Sequence, residues 1–123
     1  MKQNQKFSLR QRLKSFSHAI KGLQTTVKYE HNTWIHLFAM VLVIAFGFVY
    51  ELTTFEWCWI TLAIGLVIVT EILNTAIEHL TDLVSPEFHP LAQKTKDAAA
   101  GAVLIASIIA VIIGLLVFLP KMN

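Results

Sequence analysis

The stretch WCWITLAIGLVIVTEILNTAIEHLTD, residues 57–82, begins as an uncharged apolar segment and ends with three carboxylates and an amide. These four side chains are Glu71, Asn74, Glu78 and Asp82. At about 100° per residue, all four fall within about 80° of arc on a helix. The stretch therefore predicts one long helix with a polar stripe near its C-terminal end.

Three runs of the 123-residue chain contain no Asp, Glu, Lys or Arg, and 55% of all residues are hydrophobic. The runs are residues 31–50, 57–70 and 98–119. A hydrocarbon layer of about 30 Å needs roughly 20 apolar residues in a helix. The second run, with 14 residues, is too short unless the helix continues into the polar stripe. We therefore predict an all-α membrane protein with transmembrane helices at 32–50, 57–82 and 96–119.

A fourth helix is predicted at residues 7–28, ahead of the first span. Its apolar side chains recur at spacings of three and four residues: Leu13, Phe16, Ile20, Leu23 and Val27. Lysines repeat every seven residues on another face: Lys14, Lys21 and Lys28. An apolar stripe beside a lysine stripe favours an amphipathic helix lying in the membrane interface. A short coiled coil is the alternative.

Basic residues lie on one side of the predicted spans. Nine of the ten precede the first span or lie between the second and third: Lys2, Lys6, Arg10, Arg12, Lys14, Lys21, Lys28, Lys94 and Lys96. Because cytoplasmic loops carry an excess of Lys and Arg, we expect the N-terminus in the cytoplasm and the C-terminus outside. No signal peptide is expected, and the single cysteine, Cys58, is interpreted as a packed or lipid-facing side chain.

The polar stripe crosses the predicted membrane boundary. From residue 57 the helix rises about 21 Å before Glu71, which leaves this carboxylate several Å inside the apolar layer. Glu78 and Asp82 then lie near or beyond the boundary. A charged group inside the membrane is unfavourable by about 2.5–3.5 kcal/mol, so it usually faces the protein interior and serves a function. Helix packing, or an ordinary juxtamembrane charge in the case of Asp82, is the structural alternative.

Two further segments fit nucleotide chemistry at the cytoplasmic interface. Glu30 directly precedes the first span, at a depth similar to that of Glu78, and two such carboxylates suit Mg²⁺ carrying nucleotide phosphates. The segment KTKDAAAGAV, residues 94–103, presents Lys96 and Asp97 before five small residues that favour close helix packing. The chain lacks the GxxxxGK[ST] and GxGxxG motifs, and no nucleic-acid partner is expected.

The segments EILNTAIEHLTDLV (71–84) and KDAAAGAVLI (96–105) resemble the signature of the prokaryotic diacylglycerol kinase family, small three-helix membrane enzymes. The resemblance runs from about Lys14 to Pro120. Within the family, HPLAQKTKDAAAGAV (89–103) and IIGLLVFLPK (112–121) look closer to the undecaprenol kinase branch of Gram-positive bacteria than to the diacylglycerol kinase branch.

The resemblance implies a homotrimer in the bacterial cell membrane, with active sites between subunits that use MgATP to phosphorylate a lipid alcohol. The expected product is undecaprenyl phosphate, with phosphatidic acid as the alternative. By position, Glu71 matches a general base, and Glu30 and Glu78 match magnesium ligands. The positions that match nucleotide-binding residues are His18, Glu30, Glu78, Glu87, Phe88, His89, Lys96 and Asp97. Asn74, Asp82 and Lys14 are expected as further polar residues of the site.

Two other classes of protein stay open on the residues alone. A small proton-coupled transporter also uses a glutamate inside the membrane, but it does not require the lysine-striped helix or a polar stripe that reaches the cytosol. A purely structural membrane subunit leaves Glu71 unexplained. His36, inside the first span, is interpreted as a core residue and not as a ligand.

Overall fold

The computed structural model describes residues 6–123, which leaves Lys2 outside the described residues. Its elements are α1 (Leu9–Tyr29), α2 (His31–Val49), α3 (Thr54–Val84), α4 (Pro90–Phe118) and a 3₁₀ turn (Leu119–Lys121). Within residues 6–123, three segments are long and apolar enough to cross a membrane: α2, α3 and Pro90–Lys121. The predicted all-helical fold, with three such helices and a fourth N-terminal one, is confirmed.

One residue, Glu30, separates α1 from α2. Its backbone is extended, with φ −102° and ψ 114°. The Glu30 N–H still donates to the Thr26 carbonyl at 3.1 Å, and the Glu30 carbonyl accepts from the Thr33 N–H at 3.2 Å. The helical hydrogen bonding is thus nearly continuous across the join, while the extended residue changes the direction of the chain. Glu30 consequently lies at the corner between the N-terminal helix and the first span.

The helix α3 starts at Thr54, three residues before the predicted start at Trp57, because Thr53 forms a capping box. The Glu56 N–H donates to Thr53 Oγ1 at 3.2 Å, and the Thr53 N–H donates to Glu56 Oε1 at 3.1 Å. Glu56 also pairs with Lys121 Nζ at 3.0 Å, which joins the start of α3 to the end of the third span. With 31 residues, α3 is about 46 Å long and exceeds the hydrocarbon thickness.

The helix α4 begins at Pro90, six residues before the predicted span at 96–119. Pro90 occupies the first turn of this helix, where its missing N–H would have no hydrogen-bond partner. His89 caps this turn, since its Nδ1 accepts from the Leu91 N–H at 3.1 Å. Residues 85–89 therefore form the whole connection between α3 and α4.

The most extensive helix–helix contact is that between α3 and α4. Small side chains allow it: Ala63 on α3 and Ala99 and Ala106 on α4 are all buried. Of the small residues that open the third span, Ala99 thus packs inside the chain, while Ala98, Ala100 and Ala102 stay exposed. The helix α2 contacts α3 over a shorter stretch, and this contact brings the polar side chains of the two helices together.

Candidate active site

Glu71 is buried at the contact between α3 and α2, with 7% of its surface exposed. His36 Nδ1, on α2, lies 3.2 Å from Glu71 Oε1. A carboxylate in an apolar layer needs a partner of this kind, because an unpaired buried charge is strongly destabilising. The structure thus places Glu71 in the protein interior, as its depth predicted.

The role of His36 as a partner of Glu71 was missed by the sequence interpretation, which treated it as a core residue. The positions of the two residues along their helices indicate this contact. The helices α2 and α3 are joined by the short segment 50–53 and run antiparallel. His36 lies six residues after Glu30, and Glu71 lies seven residues before Glu78, which corresponds to about 9 and 10.5 Å of helix. The two side chains therefore share one depth.

The carboxyl groups of Glu30 and Glu78 lie next to each other. They are located at the end of the α2–α3 contact that is nearer the α3–α4 connection. They are close enough for a side-chain hydrogen bond and a direct charge–charge interaction. Chain topology alone left this meeting open, because Glu30 belongs to the α1–α2 corner and Glu78 to α3. The structure brings together the two carboxylates that the sequence selected as a magnesium pair.

Three buried polar atoms lie between the two pairs and have no hydrogen-bond partner among the described residues. They are Thr33 Oγ1, Asn74 Oδ1 and Thr75 Oγ1. Thr33 precedes His36 by about one helical turn, and Thr75 follows Glu71 by about one turn. The contact between α2 and α3 thus contains three polar layers: His36 with Glu71, then the unpaired groups, then Glu30 with Glu78.

Lys96 joins the site from α4. Its Nζ lies 2.5 Å from Asp82 Oδ1, the last member of the predicted stripe. Lys96 also acts electrostatically on Glu78. Asp97 points to its own helix instead, where Oδ1 accepts from Gln93 Nε2 at 2.9 Å. A cation beside an acidic pair is suited to binding a phosphate that arrives with a metal ion.

The remaining predicted site residues fall into two groups. Glu87, Phe88 and His89 form the α3–α4 connection and line a small hollow of about 110 Å³ together with Asp82 and Lys96. Lys14 and His18 line a separate hollow on α1. They precede Glu30 by 16 and 12 residues, about 24 and 18 Å of helix. A single chain therefore does not bring these two side chains to the carboxylate pair.

An apolar cleft of about 480 Å³ opens between α2, α3 and α4. It extends from His36 to Phe118 and is lined mainly by aliphatic side chains, including Val43, Ile64 and Val67. His36 is the only titratable residue among its lining residues. The cleft thus ends at the imidazole that contacts Glu71.

The site combines a buried carboxylate, Glu71, with an acidic pair and a lysine nearer the α3–α4 connection. These groups are suited to phosphoryl transfer to a membrane lipid. The chain belongs to the prokaryotic diacylglycerol kinase family, whose model matches residues 17–118. The predicted resemblance is confirmed, and the chain is a membrane lipid kinase.

Three relatives show the range of similarity within this family. The undecaprenol kinase of Bacillus subtilis is 50% identical over 109 residues, which cover 89% of each chain. The diacylglycerol kinase of Synechocystis is 40% identical over 111 residues, covering 89% of this chain and 63% of the relative. The diacylglycerol kinase of Escherichia coli K12 is 48% identical over 50 residues, or 41% of each chain.

Proposed function

We propose that this protein transfers the γ-phosphoryl group of ATP to the hydroxyl of undecaprenol and forms undecaprenyl phosphate at the cytoplasmic face of the membrane. The observation that carries the choice of lipid is the 50% identity to an undecaprenol kinase over 89% of both chains. The two diacylglycerol kinases are less similar to this chain. That of Synechocystis has a lower identity, 40%, and that of Escherichia coli K12 matches over 41% of each chain.

Glu71 is proposed as the general base. The hydroxyl of a membrane lipid stays near the interface while its chain stays in the hydrocarbon layer, so a base that reaches it must lie inside the boundary. Glu71 has this depth and is 7% exposed. In the proposed step the hydroxyl proton passes to the Glu71 carboxylate, the hydroxyl oxygen bonds to the γ-phosphorus, and the bond from that phosphorus to ADP breaks.

Glu30 and Glu78 are proposed to hold Mg²⁺. Their carboxylates approach each other closely, an arrangement that a divalent cation would stabilise. Magnesium takes oxygen ligands and commonly uses one or two carboxylates, with water and phosphate oxygens as the others. The donor set therefore fits. When bound, the ion would neutralise negative charge on the nucleotide phosphates.

The nucleotide is proposed to lie on the cytoplasmic side of Glu71, where Lys96 can pair with its phosphates. Lys96 contacts Asp82, and this contact orients the ammonium group beside Glu78. Glu87, Phe88, His89 and Asp97 are retained as proposed nucleotide contacts because they surround the same end of the α3–α4 hairpin. The side chain of Phe88 is 82% exposed and free to stack on a base.

The lipid chain is proposed to run along the apolar cleft. The cleft ends at His36 beside Glu71, and it is lined by the three helices that are apolar enough to cross a membrane. A polyprenyl chain placed there would have its hydroxyl end at Glu71 and its apolar part against aliphatic side chains. This arrangement keeps the substrate in hydrocarbon throughout the reaction.

A homotrimer is proposed to complete the site. Lys14 and His18 lie too far along α1 to reach the carboxylate pair of their own chain, and a second copy could supply them. The α1 side chains Leu13 and Phe16 are 62% and 70% exposed, which suits an amphipathic helix in the cytoplasmic interface. The same orientation places the nine basic residues inside the cell and the protein in the bacterial plasma membrane.

One assay tests the proposed function. The purified protein is incubated with MgATP and either undecaprenol or diacylglycerol at equal fraction in detergent, and phosphate incorporated into extracted lipid is measured. Faster labelling of undecaprenol supports the proposal. Preferential labelling of diacylglycerol would assign the alternative substrate, and ATP consumption without any lipid dependence would contradict kinase activity on both.

A further inference from the structure

A close contact between an imidazole nitrogen and a carboxylate oxygen links α2 and α3 at the base of the site. His36 Nδ1 and Glu71 Oε1 are 3.2 Å apart. The side chain of His36 is 24% exposed, and that of Glu71 is 9% exposed. Among the described residues, this is the only ion-pair partner of Glu71. The orientation of the carboxylate therefore depends on one imidazole.

Among the described residues, no other side chain forms a hydrogen bond or an ion pair with the Glu71 carboxylate. His36 borders the apolar cleft, whose lining includes Ala39, Met40 and Val67. One turn away, Thr75 Oγ1 is buried, has no hydrogen-bond partner among residues 6–123 and does not bond the carboxylate. Removal of the imidazole would leave the Glu71 carboxylate without the contact that fixes its orientation.

We infer that His36 is a positioning residue for the proposed general base: its Nδ1 holds one oxygen of Glu71 so that the other oxygen faces the lipid hydroxyl. The inference rests on the proposed function, because Glu71 must be the base. A base acts only when it is within hydrogen-bonding reach of the proton that it removes. A misplacement of about 1 Å can lower the rate about 100-fold.

A merely structural role and a positioning role give different kinetics. Loss of packing would lower the yield of folded protein, or change kcat and the KM for MgATP together. Loss of positioning lowers kcat and leaves the KM for MgATP nearly unchanged, because the nucleotide groups lie about two helical turns away. The donor atom also matters, because only a side chain with N–H at the Nδ1 position restores the contact.

The experiment compares three variants with the wild-type protein in detergent, using MgATP and undecaprenol. His36→Leu removes the imidazole nitrogens and keeps a side chain of similar volume. His36→Asn keeps an N–H donor at the same distance from the backbone as Nδ1. His31→Leu, at the start of α2, is the matched control for loss of a histidine. Folding and assembly are checked by circular dichroism and size-exclusion chromatography.

We expect His36→Leu to lower kcat about 10–100-fold with little change in the KM for MgATP. His36→Asn should recover most of that loss. His31→Leu should have the kcat and KM of the wild-type protein. Equal losses in the Leu and Asn variants would overturn the inference. If His36→Leu does not fold, His36→Gln replaces it, since its amide lies one bond farther out. Activity of His36→Gln equal to or above that of His36→Asn would then overturn the inference.

The wild-type result separates the two proposals. A wild-type protein that phosphorylates no lipid alcohol overturns the proposed function and this inference with it. A wild-type protein that phosphorylates undecaprenol, while His36→Leu keeps its kcat, overturns the inference alone.

Discussion

The carboxyl groups of Glu30 and Glu78 lie within hydrogen-bonding range of each other, although one belongs to the corner between α1 and α2 and the other to α3. Two acidic groups at this separation repel each other when both are ionised. A magnesium ion bound between them would attract both carboxylates. The pair therefore defines the end of the site at which we expect the nucleotide.

Neutralising either carboxylate should weaken nucleotide binding. We expect Glu30→Gln and Glu78→Gln each to raise the Kd for MgATP by at least about tenfold, equivalent to about 1.4 kcal/mol. An amide cannot replace a charged oxygen as a magnesium ligand with the same strength. The measurement is a titration with MgATP, with Glu51→Gln, in the turn between α2 and α3, as the control. Unchanged affinity in both variants would exclude this metal site.

Removing the charge of Lys96 should weaken the binding of MgATP and leave the binding of the lipid unchanged. We expect Lys96→Gln to raise the KM for MgATP about tenfold or more and to leave the KM for undecaprenol nearly unchanged, because Lys96 acts on the Glu78 end of the site. The neighbouring Lys94→Gln is the control, since it removes a charge from the same helix. Equal effects of the two variants would show that general surface charge is responsible.

Thr75 offers a test of packing within the polar layer. Its hydroxyl is buried, with 3% of the residue exposed, and has no hydrogen-bond partner among the described residues. Replacing an unpaired buried hydroxyl by a methyl group of similar shape is nearly neutral or stabilising. We therefore expect Thr75→Val to keep or raise the midpoint of thermal unfolding in detergent.

The control for that experiment is Thr26→Val, because the Thr26 hydroxyl is paired and donates to the Gly22 carbonyl at 3.1 Å. Its loss should not stabilise the protein. A Thr75→Val variant destabilised by more than about 1 kcal/mol would mean that the hydroxyl has a partner, such as bound water, in the membrane.

Much of the fold follows from local patterns in the sequence. Uncharged runs predict the three apolar helices, and helical spacing places Glu71, Asn74, Glu78 and Asp82 on one face. Helix ends are less predictable, because they depend on single groups. Thr53 caps α3 through Glu56, and Pro90 starts α4 six residues before the predicted span.

The pairing of the site residues could not be obtained from local patterns alone. Periodicity relates residues on one helix, whereas His36 with Glu71 and Glu30 with Glu78 each join two parts of the chain. The break at Glu30 has no proline or glycine to mark it. The separation of Lys14 and His18 from the other residues also depends on the path of α1, which its sequence does not specify.

In the proposed mechanism, Glu71 performs the proton transfer, while Glu30 and Glu78 bind the metal and the nucleotide. The most direct test measures lipid phosphorylation and MgATP binding in parallel for Glu71→Gln, with chromatography to confirm the oligomer. We predict a loss of phosphorylation of at least about 1,000-fold, with folding, assembly and the Kd for MgATP unchanged. Near-normal turnover in Glu71→Gln would contradict the account.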